Sequence, residues 1–238
     1  MAPKALPLKG RTALITGASR GIGAAVAKRL AREGAHVVLV ARTVGGLEEV
    51  DDAIQKEGKG QATLVPLDLK DLGKIDGLAL QLAERFGKLD ILVGNAAILG
   101  GLRPISHVTD SIWKNVMAVN VEANFRLLRA LDGLLRKSDA PRAIFVTSGV
   151  TQGTFPYWGP YTISKVALEA MVKTYAAENM KTPIRANLVD PGVVRTAMRA
   201  EAMPGENPGI LPEPESITDI FVKLAQPSLK ESGKVFAA

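Results

Sequence analysis

The chain has 238 residues, enough for a sizeable core, with 47% hydrophobic and 23% charged residues and no cysteine. Disulfides and thiolate metal sites are therefore excluded, and the two histidines, His36 and His107, lack ligand spacing, so no metal is expected. A net charge of +6 does not imply a nucleic-acid partner, because Lys and Arg alternate with acids, as in "KRLAREG", with no basic block interleaved with aromatics.

Short β-rich runs recur along the chain, each bounded by Gly, Asp or Ser. They are "TALIT" (Thr12–Thr16), "HVVLVA" (His36–Ala41), "TLVPL" (Thr63–Leu67), "DILVG" (Asp90–Gly94), "AIFVT" (Ala143–Thr147), "RANLV" (Arg185–Val189) and "KVF" (Lys234–Phe236). Nearly all-apolar runs of this length read as strands buried on both faces of a parallel sheet. Between them lie helical patterns such as "IGAAVAKRLAREG", with Ile22, Val26 and Leu30 on one face and Gly34 closing it. The alternation predicts an α/β fold: a Rossmann-type, doubly wound, mainly parallel sheet of about seven strands in one domain spanning residues 1–238. "MPGENPGILPEPES" (Met203–Ser216) is too rich in Pro and Gly for an element, and residues 198–214 are expected to form a loop or substrate lid. The longest apolar run, "VVLVA" (Val37–Ala41), cannot cross a bilayer, and "MAPKALPLKGR" has no stretch of signal-peptide length. No membrane partner is expected, and the absence of cysteine fits a cytoplasmic location.

The first strand runs straight into glycines at Gly17, Gly21 and Gly23, which open the first helix. Glycines let the backbone approach a pyrophosphate, and the helix N-terminus offers free N–H groups and positive potential. Downstream, Tyr161 and Lys165 stand one helical turn apart in "YTISKVALEAMVK". By itself that spacing fits either a solvated face or an ammonium placed to make a phenol more acidic.

The spacing G-x-x-x-G-x-G, with Tyr161-x-x-x-Lys165 downstream, resembles the short-chain dehydrogenase/reductase family along essentially the whole chain. "TGASRGIG" (Thr16–Gly23) looks like its cofactor turn, which assigns Gly17, Ser19, Arg20, Gly21, Ile22 and Gly23 to cofactor binding. Asp68 and Leu69 look like its adenine contact, and "GNAA" (Gly94–Ala97), with Asn95 and Ala96, like its N-A-G segment. Asn120, Ser148 placed 13 residues before Tyr161, and "PGVVRT", with Pro191, Gly192, Val194 and Thr196, complete the set. Two residues depart from the pattern: Gly94 replaces the commoner Asn, which is expected to loosen a sheet hydrogen bond, and Ala97 replaces Gly.

The resemblance implies an oxidoreductase interconverting a small-molecule carbonyl and an alcohol. It casts Asn120, Ser148, Tyr161 and Lys165 as catalytic: Tyr161 passes the proton, Ser148 holds the substrate oxygen, Asn120 belongs to a proton relay through its backbone and water, and Lys165 also bonds the nicotinamide ribose. A free phenol titrates near pH ~10, so work near neutrality asks for a shift of roughly 3 units from Lys165 and the oxidised nicotinamide. The alternative is a non-catalytic dinucleotide-binding regulator. An NAD-binding fold places an acid at the end of the second strand, whereas "VARTVGG" has Ala41, Arg42 and Thr43 there, with Arg20 in the glycine turn. Arg can pair with a 2′-phosphate, so NADP(H) is favoured over NAD(H). The helices around Ser111–Leu135 and from Tyr161 are expected to pair between subunits, as is common in the family, giving a homodimer or homotetramer. Trp113, Phe125, Leu127 and Leu128 are read as core, and His107 as a loop residue.

Overall fold

The computed structural model describes residues 6–58 and 60–238; the reading of the N-terminus as free of a signal peptide falls partly outside that range. The chain alternates β1 (Thr12–Thr16), α1 (Gly21–Arg32), β2 (His36–Ala41), α2 (Val44–Glu57), β3 (Gln61–Pro66), α3 (Leu72–Phe86) and β4 (Ile91–Gly94). It continues with α4 (Asp110–Met117), α5 (Ala123–Leu135), β5 (Arg142–Val146), α6 (Gly159–Glu178), β6 (Arg185–Asp190), α7 (Ala197–Ala202), α8 (Thr218–Ala225) and β7 (Val235–Ala237). All strand pairings are parallel, in the order β3-β2-β1-β4-β5-β6-β7. This is the expected Rossmann-type doubly wound sheet, and its order reverses between β1 and β4, where such sheets open a crevice.

Side-chain alternation divides the core into two layers. Ala13, Ile15, Val37, Leu39, Ile91 and Val93 face α1, α2 and α8, where Leu30, Leu47 and Phe221 meet them. Leu14, Val38, Val40, Leu92 and Phe145 face the other way, onto Ile75, Leu127 and Leu168 of α3, α5 and α6. With both faces covered, the inner strands have no polar side, which is why they read as unbroken apolar runs. β3 begins earlier than expected and ends at Pro66; as an edge strand it is only half-buried, so its polar start at Gln61 does not stand out in the sequence. β5 and β7 are each displaced by one residue from the predicted runs, and β6 extends to Asp190.

The pairing of β4 with β5 continues through Gly94, opposite Phe145, so the glycine does not interrupt the sheet. A Cβ at position 94 would collide with the Phe145 ring and come within 2.7 Å of Asn124 Oδ1. The space an Asn side chain would need is filled by an aromatic ring.

Three sequence expectations change. Leu127 and Leu128 are core, but Trp113 and Phe125 are 38% and 51% exposed, because they lie on helix faces turned away from the sheet. Asn120 sits in a π turn, Ala118–Glu122, between α4 and α5 rather than in continuous α-helix. The segment expected as a loop or lid, residues 198–214, begins as helix, since α7 runs to Ala202, and beyond it come two short 3₁₀ turns, Pro208–Ile210 and Pro214–Ile217. That segment is tied down by Arg199–Glu206 at 2.6 Å, by Arg195–Glu213, and by Lys28–Glu215 at 2.9 Å.

Candidate active site

A cleft of about 840 Å³ opens along the C-terminal edge of the sheet at the strand-order reversal. Its floor is the glycine turn. Gly17 has φ +66°, and a Cβ there would come within 2.9 Å of Asn95 Nδ2. A Cβ on Gly23 would run into the Gly17 carbonyl oxygen and lie 2.5 Å from Asn95 Nδ2. Both glycines let α1 start against β1 and β4, and Asn95 fastens the corner by donating to Thr16 O at 2.9 Å. Thr16 Oγ1 in turn accepts from the amides of Asn95 and Ala96 at 3.0 and 3.1 Å. Gly23→Ala is expected to lower unfolding stability by about 1–3 kcal/mol, because backbone rather than a mobile side chain must give way. Urea unfolding checks this; unchanged stability would mean that the turn repacks freely.

Of the predicted residues, Gly17, Ser19, Arg20, Gly21, Ile22, Arg42, Thr43, Asp68, Leu69, Asn95 and Ala96 line the cleft from the β1–β4 side. Ser148, Tyr161, Lys165, Pro191, Gly192, Val194 and Thr196 line it from the other. Gly23 and Asn120 do not reach the wall. Asn120 is fully buried behind it: its Oδ1 accepts from Ile98 N at 2.9 Å, and its Nδ2 donates to Ile98 O and Ser164 Oγ, each at 3.0 Å. Its carbonyl accepts from Asn124 Nδ2 at 2.9 Å, so a side chain already serves the group assigned to the relay. Lys28, Glu213 and Glu215 also line the cleft and were missed. Only the two-turn spacing from Gly21 to Lys28 along α1 carried a local signal.

Neither Arg20 nor Arg42 has an ion-pair partner among the described residues, and both face the cleft. α1 and α2 start there too, with no acid in either first turn and no side-chain cap. Two free helix N-termini and two unpaired guanidinium groups give this half of the cleft a positive potential of the kind that suits an anion.

The other half holds Tyr161, Ser148 and Lys165. Tyr161 is 7% exposed and packed with Leu99, Val150 and Ala202, with the Ser148 hydroxyl as a polar neighbour. Burial pushes the phenol up to about 12, against a smaller downward pull from Ser148. Burial also pushes the Lys165 ammonium down to about 8, although its Nζ donates to Val146 O at 2.8 Å. Nζ lies 5.6 Å from the centre of the Tyr161 ring. The depression expected from Lys165 and the oxidised nicotinamide together is not produced by the chain alone, in which desolvation dominates and Tyr161 stays protonated near neutral pH. Ile98, Trp158, Met198 and Ala202 give this end an apolar wall.

The family model for short chain dehydrogenases matches residues 11–207. The uncharacterized oxidoreductase YciK of Escherichia coli K12 is 38% identical over 239 residues, covering 99% of this chain and 94% of its own length. A Pseudomonas syringae structure assigned to the same family superposes with a TM-score of 0.95 at 40% identity, covering 99% of this chain and 97% of its own. Another, from Escherichia coli CFT073 and complexed with NADPH, gives a TM-score of 0.92 at 38% identity with 99% of both chains covered. The chain belongs to the short chain dehydrogenase family of oxidoreductases.

Proposed function

We propose that the protein is an NADP(H)-dependent oxidoreductase that interconverts a carbonyl and an alcohol, with Tyr161 as the proton-transferring group. One observation carries the reading: a hydroxyl, a buried phenol and a buried ammonium meet on the wall of the cleft whose other half holds two helix N-termini, Arg20 and Arg42. The glycine cradle and the helix N-termini fit a dinucleotide pyrophosphate, and Arg20 and Arg42 fit a 2′-phosphate. The NADPH complex of the Escherichia coli CFT073 relative supports the same assignment. Asp68 and Leu69 would border the adenine, Asn95 and Ala96 the middle of the cofactor, and Pro191 to Thr196 the nicotinamide side. When bound, the reduced nicotinamide supplies the hydride.

The chain's residues do the rest. Ser148 holds the carbonyl oxygen beside the phenol, and Tyr161 gives that oxygen its proton as the carbon is reduced. A phenol held at about 12 is fully protonated at pH 7, as a donor must be. The phenolate left behind is stabilised by Lys165 for as long as the ammonium keeps its charge, which it does below its pKa of about 8. For reduction, kcat/KM should be level below that pH and fall roughly tenfold per unit above it as Lys165 loses its proton. A pH–rate profile that stays flat to about pH 10 would remove Lys165 from this role.

Nicotinamide absorbance followed across aldehydes, ketones and 3-oxoacyl thioesters tests the function itself. Turnover of any of them supports the reading; inertness toward all, with NADPH bound, favours a non-catalytic regulator. The apolar wall favours substrates with an apolar group next to the carbonyl.

Assembly belongs to the same reading. Trp113 and Phe125 share their exposure with Ile163 and Val166 of α6, at 39% and 48%. Covering such a surface with a second copy explains apolar side chains that the sheet does not bury. A homodimer or homotetramer is expected, with activity reduced on dissociation; light scattering that finds an active monomer at assay concentration would refute it. Among the described residues no helix is long and apolar enough to cross a membrane, and a cysteine-free chain fits a cytoplasmic enzyme.

A further inference from the structure

The carboxylate of Glu169 takes no part in the proton transfer described above, yet it is only 13% exposed. Its Oε1 accepts from Thr147 Oγ1 at 2.8 Å and from Thr151 Oγ1, also at 2.8 Å. Its Oε2 accepts from Lys173 Nζ at 2.8 Å. The two threonines flank Ser148: Thr147 precedes it and is 1% exposed, while Thr151 Oγ1 also lies 3.0 Å from the Ser148 carbonyl. An ionised carboxylate only accepts, so both hydroxyl hydrogens point away from Ser148 and toward α6.

Tyr161, Lys165 and Glu169 stand four residues apart on one face of α6. Each holds a part of the same short segment. Lys165 donates to the Val146 carbonyl, Glu169 receives Thr147 and Thr151, and Tyr161 neighbours Ser148. Without Glu169, Thr147 would keep only its backbone bond to Val189 O, and Thr151 only its bonds to the Ser148 carbonyl. We infer that Glu169 is a positioning residue that clamps the Ser148 segment onto α6 and so fixes the Ser148 hydroxyl beside the Tyr161 phenol. Its effect on rate rests on the reductase reading; its effect on the segment does not.

The test compares full-length wild type with Glu169→Ala, Glu169→Gln and Lys173→Ala. It reads kcat, NADPH affinity by fluorescence, and deuterium exchange of the peptide covering residues 146–153. Glu169→Ala should lower kcat about 10- to 100-fold, with NADPH affinity within about twofold and faster exchange confined to that peptide. Glu169→Gln keeps an oxygen acceptor and should restore both readouts to within about threefold of wild type, and Lys173→Ala should match wild type. If Glu169→Ala does not fold, Thr147→Val with Thr151→Val removes the same two bonds and should give the same pattern. Wild-type kcat in a folded variant lacking these bonds, unchanged exchange in that peptide, or a Lys173→Ala defect equal to that of Glu169→Ala would overturn the inference. A wild type inert toward every carbonyl, with the exchange change still present, would count against the reductase reading and for the clamp.

Discussion

Tyr161→Phe should lower kcat by at least ~100-fold while leaving NADPH affinity within about twofold. Phe fills the same place: the ring keeps Leu99, Val150 and Ala202 as neighbours and Trp158 at 6.0 Å. Only the hydroxyl that neighbours Ser148 and gives up the proton is lost. No acceptor is stranded without a partner, since Ser148 Oγ still receives Val150 N at 3.5 Å and remains at the cleft wall. The loss therefore falls on the chemical step rather than on folding. Steady-state kinetics with a fluorescence titration of NADPH check it. Near-normal kcat would show that another group delivers the proton.

Arg42→Asp should weaken NADPH by about 2–4 kcal/mol and NADH much less. The guanidinium stands exposed at the end of β2, just before α2, with no carboxylate to neutralise it among the described residues. Replacing it removes a charge-assisted contact and adds repulsion toward a 2′-phosphate, whereas a ribose diol can accept the new carboxylate as a hydrogen-bond partner. The ratio of kcat/KM values for NADPH and NADH in wild type and variant is the measurement. Equal losses for both cofactors would reduce Arg42 to a structural residue, and a wild-type preference for NADH would end the NADP(H) assignment.

How much of this was legible in the sequence follows from where each signal is stored. β1, β2 and β4 are buried on both faces, so their apolar runs mark them to within a residue, whereas the half-buried edge strand β3 hid its start at Gln61. Turn glycines and helical spacing are local, and together with the family resemblance they led to a set of residues of which all but Gly23 and Asn120 line the cleft. Trp113 and Phe125 were misplaced because periodicity reveals an apolar stripe without saying what covers it. Lys28 and Glu215 lie 187 residues apart, and no local pattern announces a pair formed at that distance. The titration of Tyr161 in the chain alone is hidden for a related reason: the charge beside it is visible in the spacing, but the depth of burial is a property of the whole fold. The π turn at Asn120 has no marker in its residues; it is recognised only by its hydrogen bonds.

The exchange of volume between Gly94 and Phe145 constrains how the chain can change. Phe145 is fully buried and occupies the space that any side chain at position 94 would claim. Asn at 94 opposite Phe at 145 overfills the sheet, and a small residue at 145 opposite Gly94 leaves a cavity, at a cost of about 3–5 kcal/mol for Phe→Ala. Either single step thus passes through a destabilised protein, and only the double change moves between two well-packed states. The two positions behave as one heritable unit, in evolution as in engineering. Grafting the commoner Asn-bearing segment into this chain requires that its partner across the strand be exchanged as well.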